Sequence, residues 1–408
     1  MHSTLFRTAL VLGLLSAIGP FSIDMYLPAL PQIGADLGAP ETSVQMTITL
    51  YFLAFGISQF LWGPMADAYG RKLPLVLGIS LFAIGAVGCA FAPTVGWLIA
   101  ARILQGIGGA AVGVVPRAII RDRFTGLEAT RLMAMMMLVI SVSPMLAPLA
   151  GSLVLSLGGW REIFGVLVLI AGMSLLVTLF ALPETLARED RVPVNLRSMA
   201  QGCRTLLGSP SFMGLTFVGA FGFGSFFVFI ASASFVYSET FGLTPMQFSL
   251  AFAVNALGFF AASQAAAPLG QRFGLMPVMR VALWGFAAAD VALLALTLAG
   301  LGHLPVIMAF LFVGNAFMGL VMPATFVMAL EEHGRIAGLA SSLGGTLQMV
   351  TGSVLVAVTA PFFDGTPLPM VATIALCAVL ALVVGLWVLR RMPLAAAATG
   401  GMAATAGE

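Results

Sequence analysis

The chain has 408 residues, of which 60% are hydrophobic and only 8% charged, with a mean hydropathy of +1.07 and a formal net charge of +2. A water-soluble globular chain carries about 45–50% apolar and about 25% charged residues, so a soluble enzyme is excluded and an integral membrane protein is defined. The charge is too small to suggest a nucleic-acid partner, and Cys89, Cys203 and Cys377 have neither disulfide nor metal-ligand spacing.

A helix that crosses a bilayer needs about 20 mostly apolar residues. Twelve stretches qualify: 5–30, 44–67, 73–92, 97–120, 131–157, 161–182, 211–237, 247–268, 276–300, 304–329, 338–361 and 367–390. No run of short alternating strands suggests a membrane barrel. The first span follows a single base, Arg7, and lacks a small-residue cleavage site, so it reads as a retained helix. Between the second and third spans, Gly63, Asp67, Gly70, Arg71 and Lys72 crowd into ten residues. That is the pattern of a tight corner: glycines let the backbone bend, and charges stay at the membrane edge.

Residues 1–183 thus form one six-helix half and 211–391 another. The polar stretch 184–210 reads as a linker with a short amphipathic helix, and the Ala/Gly-rich 392–408 as a disordered tail. All lysines and arginines except Arg102, inside a span, and Arg161 fall on one side, which the positive-inside rule puts in the cytoplasm together with both termini. The halves echo each other. Pro64–Gly70 resembles Pro268–Gly274, Val114–Pro116 resembles Val321–Pro323, and Gly151-Ser152 recurs as Gly352-Ser353. Three echoes about half a chain apart suggest an internal parallel repeat.

These residues also carry a family resemblance. Gly63, Asp67, Gly70, Arg71 and Lys72 resemble the corner signature of the major facilitator superfamily. Arg102, Gln105 and Gly106 resemble the fourth-helix signature of its drug/proton antiporters, and Ser143, Pro144, Ala147, Pro148 and Gly151 the fifth-helix signature. Ala134, Ser143, Ala147 and Ser152 stand where glycine is more usual. Asp24, Tyr26, Pro28 and Pro31, the Phe212–Gly258 region and the stretch from Glu332 to Gly338 narrow the likeness to the Bcr/CflA-type transporters, with bicyclomycin and chloramphenicol/florfenicol exporters as neighbours. The resemblance implies twelve helices in two pseudo-symmetric halves and a monomer in the bacterial cytoplasmic membrane. Its implied activity is proton-coupled drug efflux by alternating access, with no cofactor. Export of a small metabolite is the alternative, and a dedicated polar pocket would favour it. No phosphate-binding loop is present, and His2, His303 and His333 lie at loops or termini, which argues against an ATPase or another enzyme.

Three ionisable residues lie clearly inside spans, away from the basic edge: Asp24, Arg102 and Asp290. A charge in hydrocarbon costs at least about 3 kcal/mol, so each calls for a reason. Asp24 and Arg102 lie at similar depth and are expected to pair, with Asp24 exchanging the proton and Arg102 tuning it; a fixed structural ion pair is the bland reading. Ser16 stands where some related antiporters carry a second acid, which favours neutral or zwitterionic substrates. Asp290 should face the bundle. At the corner, Asp67 is expected to meet the start of the eleventh helix near Gly338, and Arg71 to pair with Asp122, both only when the cytoplasmic side is closed. Pro144, Pro148 and Gly151 would give the fifth helix a close, mobile contact with the eighth. Substrate-contact candidates are Tyr26, Tyr51, Gln59, Phe221, Phe229, Asn255, Asn315 and Gln348, although Asn255, Asn315 and Gln348 could equally bond helix to helix. Trp62, Trp97, Trp160 and Trp387 read as interfacial anchors.

Overall fold

A computed structural model describes residues 2–124, 126–331, 333 and 336–405. Apolar runs long enough to span a bilayer must satisfy their backbone internally, so they fold as helices. Eleven helices among the described residues are long and apolar enough to cross a membrane, and α6 (Gly126–Leu157) occupies the remaining expected span. The first half comprises α1 (His2–Asp24), α2 (Leu30–Leu37), α3 (Glu41–Tyr69), α4 (Lys72–Ala90), α5 (Val95–Arg123), α6 and α7 (Trp160–Phe180). The amphipathic α8 (Leu196–Leu207) lies in the linker. The second half comprises α9 (Pro210–Phe235), α10 (Pro245–Phe273), α11 (Leu275–Leu298), α12 (Leu304–Glu331), α13 (Ala337–Thr359) and α14 (Pro367–Thr405).

The internal repeat is visible in the backbone. Pro64 lies inside α3 and Pro268 inside α10, and the glycines that end those helices, Gly70 and Gly274, have φ of 92° and 84°. Each turns the chain directly into the next helix. Pro116 in α5 and Pro323 in α12 occupy matching places. Close packing uses glycine in both halves. A Cβ on Gly106 would lie 2.6 Å from the Tyr51 carbonyl oxygen, and one on Gly319 only 2.3 Å from that of Phe259.

Three expectations change. The first span does not end near residue 30. It breaks after Asp24, makes a 3-10 turn at Leu27–Ala29 and resumes as α2 to Leu37. Pro28 has no N–H to give the carbonyl of Asp24, so the α-ladder is interrupted there, while the apolar run continues. The tail is drawn as a continuation of α14 to Thr405 where disorder was expected; alanine's high helix propensity is the physical reason. Trp62 and Trp160 are buried instead of interfacial, donating to the Ile107 carbonyl at 2.8 Å and the Asp36 carboxylate at 2.9 Å.

The charged corner lies at what we term the basic end. Among the described residues, every hydrogen bond between the halves lies between mid-depth and the opposite end. Ser234 Oγ donates to the Leu27 carbonyl at 2.7 Å, Ser249 Oγ to Pro148 at 2.9 Å, and Thr346 Oγ1 to Gly56 at 2.7 Å. The Phe52 and Phe227 rings stack across the boundary with centroids 3.8 Å apart. Towards the basic end α3 and α13 part: a Cβ on Gly63 would touch only Val114 of its own half at 3.9 Å, and one on Gly338 would meet nothing within 4 Å. The halves are therefore joined from mid-depth to the opposite end, and among the described residues no hydrogen bond joins them at the basic one.

Candidate functional site

The break in the first span determines what surrounds Arg102. In an unbroken helix the Tyr26 N–H would bond to the Ser22 carbonyl; here that carbonyl is released and accepts from Arg102 Nη1 at 3.0 Å. The same nitrogen donates to Gln105 Oε1 at 2.6 Å. The guanidinium is fully buried, 4.8 Å from the centroid of the Tyr26 ring and 4.2 Å from that of Tyr51. Both rings attract a cation through their faces. Their hydroxyls are already used: Tyr26 donates to Thr47 at 2.8 Å and Tyr51 to Ser22 at 2.7 Å. Nε and Nη2 of Arg102 have no partner among the described residues.

Asp24 is also buried, at 4% exposure, yet makes no hydrogen bond or ion pair among the described residues. The expected Asp24–Arg102 pair is therefore absent. Arg102 is turned instead to the Ser22 carbonyl and to Gln105. Similar depth alone could not reveal this.

Asp290 sits in the α11–α12 seam, where Gly314 makes room for it, and faces the bundle as expected. Both carboxyl oxygens lack partners, so no neighbour supplies the hydrogen bond anticipated for it.

At the basic end Arg71 is the hub. Its Nη1 donates to Asp67 at 2.6 Å, and Nε and Nη2 donate to the two oxygens of Asp122 at 2.6 and 3.1 Å. The Arg71–Asp122 pair thus exists while the halves are apart at this end. It joins two elements of one half and does not depend on closure, contrary to expectation. The Asp67 contact with the start of α13 is not made: no group of that helix comes near Gly63, and the Asp67 side chain is 50% exposed. Ile336 provides no side-chain cap for α13, and among the described residues no other side chain takes its first N–H groups. Glu332, Gly334 and Arg335 lie outside the described residues.

Sequence reasoning missed Glu184. Its carboxylate accepts from the backbone N–H of Arg71 at 2.8 Å and Lys72 at 3.2 Å, and from Thr185 and Leu186 at 2.9 and 3.1 Å. Burial pushes the Glu184 carboxyl up, but these four donors outweigh it and hold it below its ordinary range. Gly70 is required here twice, for its positive φ and because a Cβ would collide with this carboxylate. A usable sequence signal existed: α4 starts on two bases and has no acid in its first turn, which leaves its positive end unmatched.

The fifth-helix residues divide their work. A Cβ on Gly151 would lie 2.1 Å from the Met25 carbonyl oxygen, so Gly151 brings α6 against the broken first span, not against α10. Contact with α10 passes through Ser152, which bonds Ser249 at 2.7 Å and the Pro245 carbonyl at 2.8 Å, and through the Pro148 carbonyl. Pro144 lies inside the same helix, one turn before Pro148.

The substrate-contact candidates scatter. Tyr26 and Tyr51 serve Arg102. Phe229 is buried and stacks on Phe252 at 5.4 Å, and Asn255 is buried and bonds its own helix at Ala251. Phe221 packs partly buried against the second-half core, and Asn315 is largely buried. Gln59 lies between the halves, its Oε1 3.1 Å from where a Gly345 Cβ would sit, and Gln348 reaches towards Gly219 with its Nε2 2.4 Å from the Cβ position there. Of the candidates, Gln59 is the one that reaches the other half, whereas Gln348 turns to α9 of its own half.

A two-halved bundle of membrane helices, sealed at one end and holding isolated charges at depth, is the architecture of a membrane carrier. The Major Facilitator Superfamily model matches residues 12–244, and the chain belongs to that superfamily; it is a multi-pass membrane transporter and not an enzyme. Within it the likeness to Bcr/CflA-type transporters holds. The chain is 30% identical to a bicyclomycin resistance protein homolog of Haemophilus influenzae, over 92% of this chain and 94% of that one. It is 36% identical to the uncharacterized MFS-type transporter YdgK of Bacillus subtilis, over 85% and 87%. The fold matches a partially occluded inward-open structure of the Escherichia coli xylose transporter XylE with a TM-score of 0.72 at 15% identity, covering 93% of this chain and 97% of that one.

Proposed function

We propose that the chain exports antibiotics or other small drugs from the bacterial cytoplasm, each in exchange for a proton. The basic end is cytoplasmic by the positive-inside rule, with both termini there, so the state described is inward-facing. The observation that carries the reading is Asp24: a buried acid with no cation partner, at the break of the first span. Such a group has no structural ion pair to maintain, which leaves it free to gain and lose a proton as access alternates. Antibiotic as cargo is supported by the bicyclomycin resistance relative, which aligns over nearly the whole chain.

In the inward-facing state Asp24 releases its proton to the cytoplasm and the drug enters between the halves, near Gln59. The seal at the Ser152–Ser249 and Phe52–Phe227 contacts then opens, Asp67 meets the uncapped start of α13, and the drug leaves outward. Protonation of Asp24 from outside neutralises the acid and favours return. Arg102, with two donors unused among the described residues, holds a positive charge beside the break in the first span.

The test is bicyclomycin susceptibility of cells producing the wild-type chain or Asp24→Asn, with and without a proton uncoupler. Wild type should raise resistance several-fold, and the uncoupler or the substitution should remove that gain. Resistance to no antibiotic, with export of a metabolite instead, would overturn the cargo; full activity of Asp24→Asn would overturn the coupling.

A further inference from the structure

A second cavity, of about 550 Å³, lies at the opposite end from the charged corner, beyond the Phe52–Phe227 stack. Its walls come from both halves: Pro28, Pro31 and Ser156 on one side, and Ser238, Leu243 and Met246 on the other. The volume falls in the range of small-molecule sites, about 300–1,000 Å³. No lining residue is charged; the polar groups are hydroxyls and the amide of Gln32.

The orientation of those hydroxyls is informative. Ser156 donates its proton to the Leu153 carbonyl at 2.7 Å, Ser234 to Leu27 at 2.7 Å and Ser238 to Ser234 at 2.8 Å. Ser152 shares its hydrogen between the Pro245 carbonyl at 2.8 Å and Ser249 Oγ at 2.7 Å. The serine hydrogens are therefore committed to protein acceptors, and what the serines offer a ligand is oxygen lone pairs; Thr244, which accepts from the Gln247 N–H, and the Gln32 amide add a few donors. The cleft is mostly a surface of acceptors interleaved with apolar wall, including Leu155 and Phe248. An ion of either sign would find no counter-charge. An uncharged molecule with several O–H or N–H donors and an apolar tail fits both.

We infer that this cleft binds an uncharged, donor-rich amphiphile of the alkyl-glycoside kind, and that the bound molecule holds the two halves together at this end. The second part follows from the first. The walls belong to both halves and separate when the seal opens, so a ligand that fits only the sealed state shifts the population towards it. Such a compound inhibits export without competing for the drug site.

The probe is n-octyl β-D-glucoside, kept below its micelle concentration and added to the full chain in lipid nanodiscs. Ser156→Cys in a Cys203→Ser background carries an environment-sensitive fluorophore at the cleft rim. A saturable blue shift is expected. Permethylated octyl glucoside, which keeps the shape but loses the donors, should bind at least tenfold more weakly, and Ser238→Trp, which fills the cleft, should abolish the shift. Saturating glucoside should also reduce drug export at least fivefold without changing the KM for drug. No saturation, or equal binding of the permethylated compound, overturns the assignment of ligand class. An unchanged shift in Ser238→Trp overturns the location, and binding without slowed export overturns the hold on the seal. The fluorescence arm reads binding alone, so it stands whether or not export proves proton-coupled.

Discussion

The residues that decide this protein's behaviour are few, and burial sets their roles. Arg102 keeps its charge in the bundle without a carboxylate, using two tyrosine faces, one carbonyl and one glutamine. Lysine would keep the charge but lose the planar geometry that lies on both rings. Arg102→Lys is expected to lower export at least tenfold while the protein still folds, measured as drug efflux alongside the melting temperature. At the corner, Glu184 has a depressed carboxyl pKa in the folded state. Its contribution is therefore complete above the ordinary carboxylate range and is lost as pH falls through the lowered folded value. Hydrogen exchange should show the Arg71 and Lys72 amides protected from pH 7 down to about 4, the region of an unperturbed glutamate, with protection fading below that. Glu184→Gln should reduce it throughout. The residue scale is also where sequence reading stopped short. Asp24 and Arg102 were recognisable as unusual because charge is scarce in apolar runs. Their separation was not, because it depends on which way α1 faces α5 after the Pro28 break. Glu184 was hidden for a different reason: its partners are backbone N–H groups, and these leave no trace in residue type.

Among the elements, two devices stand out. Gly151 lets α6 touch the backbone of the broken first span, so a methyl group there must force the helices apart. Overpacking of this kind costs about 1–3 kcal/mol, and Gly151→Ala should lower the melting temperature measurably; an unchanged value would show that the seam yields freely. The second device is α13. Among the described residues its start has no side-chain cap and no bond to Asp67. A carboxylate at a helix N-terminus is favourable by about 0.3–1 kcal/mol, which is about a two- to fivefold bias in a two-state equilibrium. Asp67→Asn should shift that equilibrium inward by this factor, read as spin-label distances between Tyr69→Cys and Phe273→Cys at the exposed corners. The helices themselves were legible, most ends to within about five residues, since hydropathy and length constrain a membrane span so tightly. The span that was misjudged, the first, is the one where a proline break and a continuing apolar run point in different directions.

Over the whole molecule, repetition and asymmetry work together. Gly70 and Gly274 turn the chain alike, and Pro116 matches Pro323, so both halves bend by the same rules. The charges do not repeat. The second corner has Gln271 in place of Asp67, and the second half has no counterpart to the Arg71 hub. One half thus carries the chemistry and the other supplies a matching surface, which accounts for a seal made of hydroxyls, carbonyls and stacked rings: such contacts separate at little cost. The central claim is that Asp24 carries the exchanged proton. It is tested most directly in proteoliposomes with a pH-sensitive dye enclosed, by recording proton movement when bicyclomycin is added. Wild-type protein should move protons against the drug, and Asp24→Asn should bind the drug but move none. Equal proton flux in the variant would contradict the account.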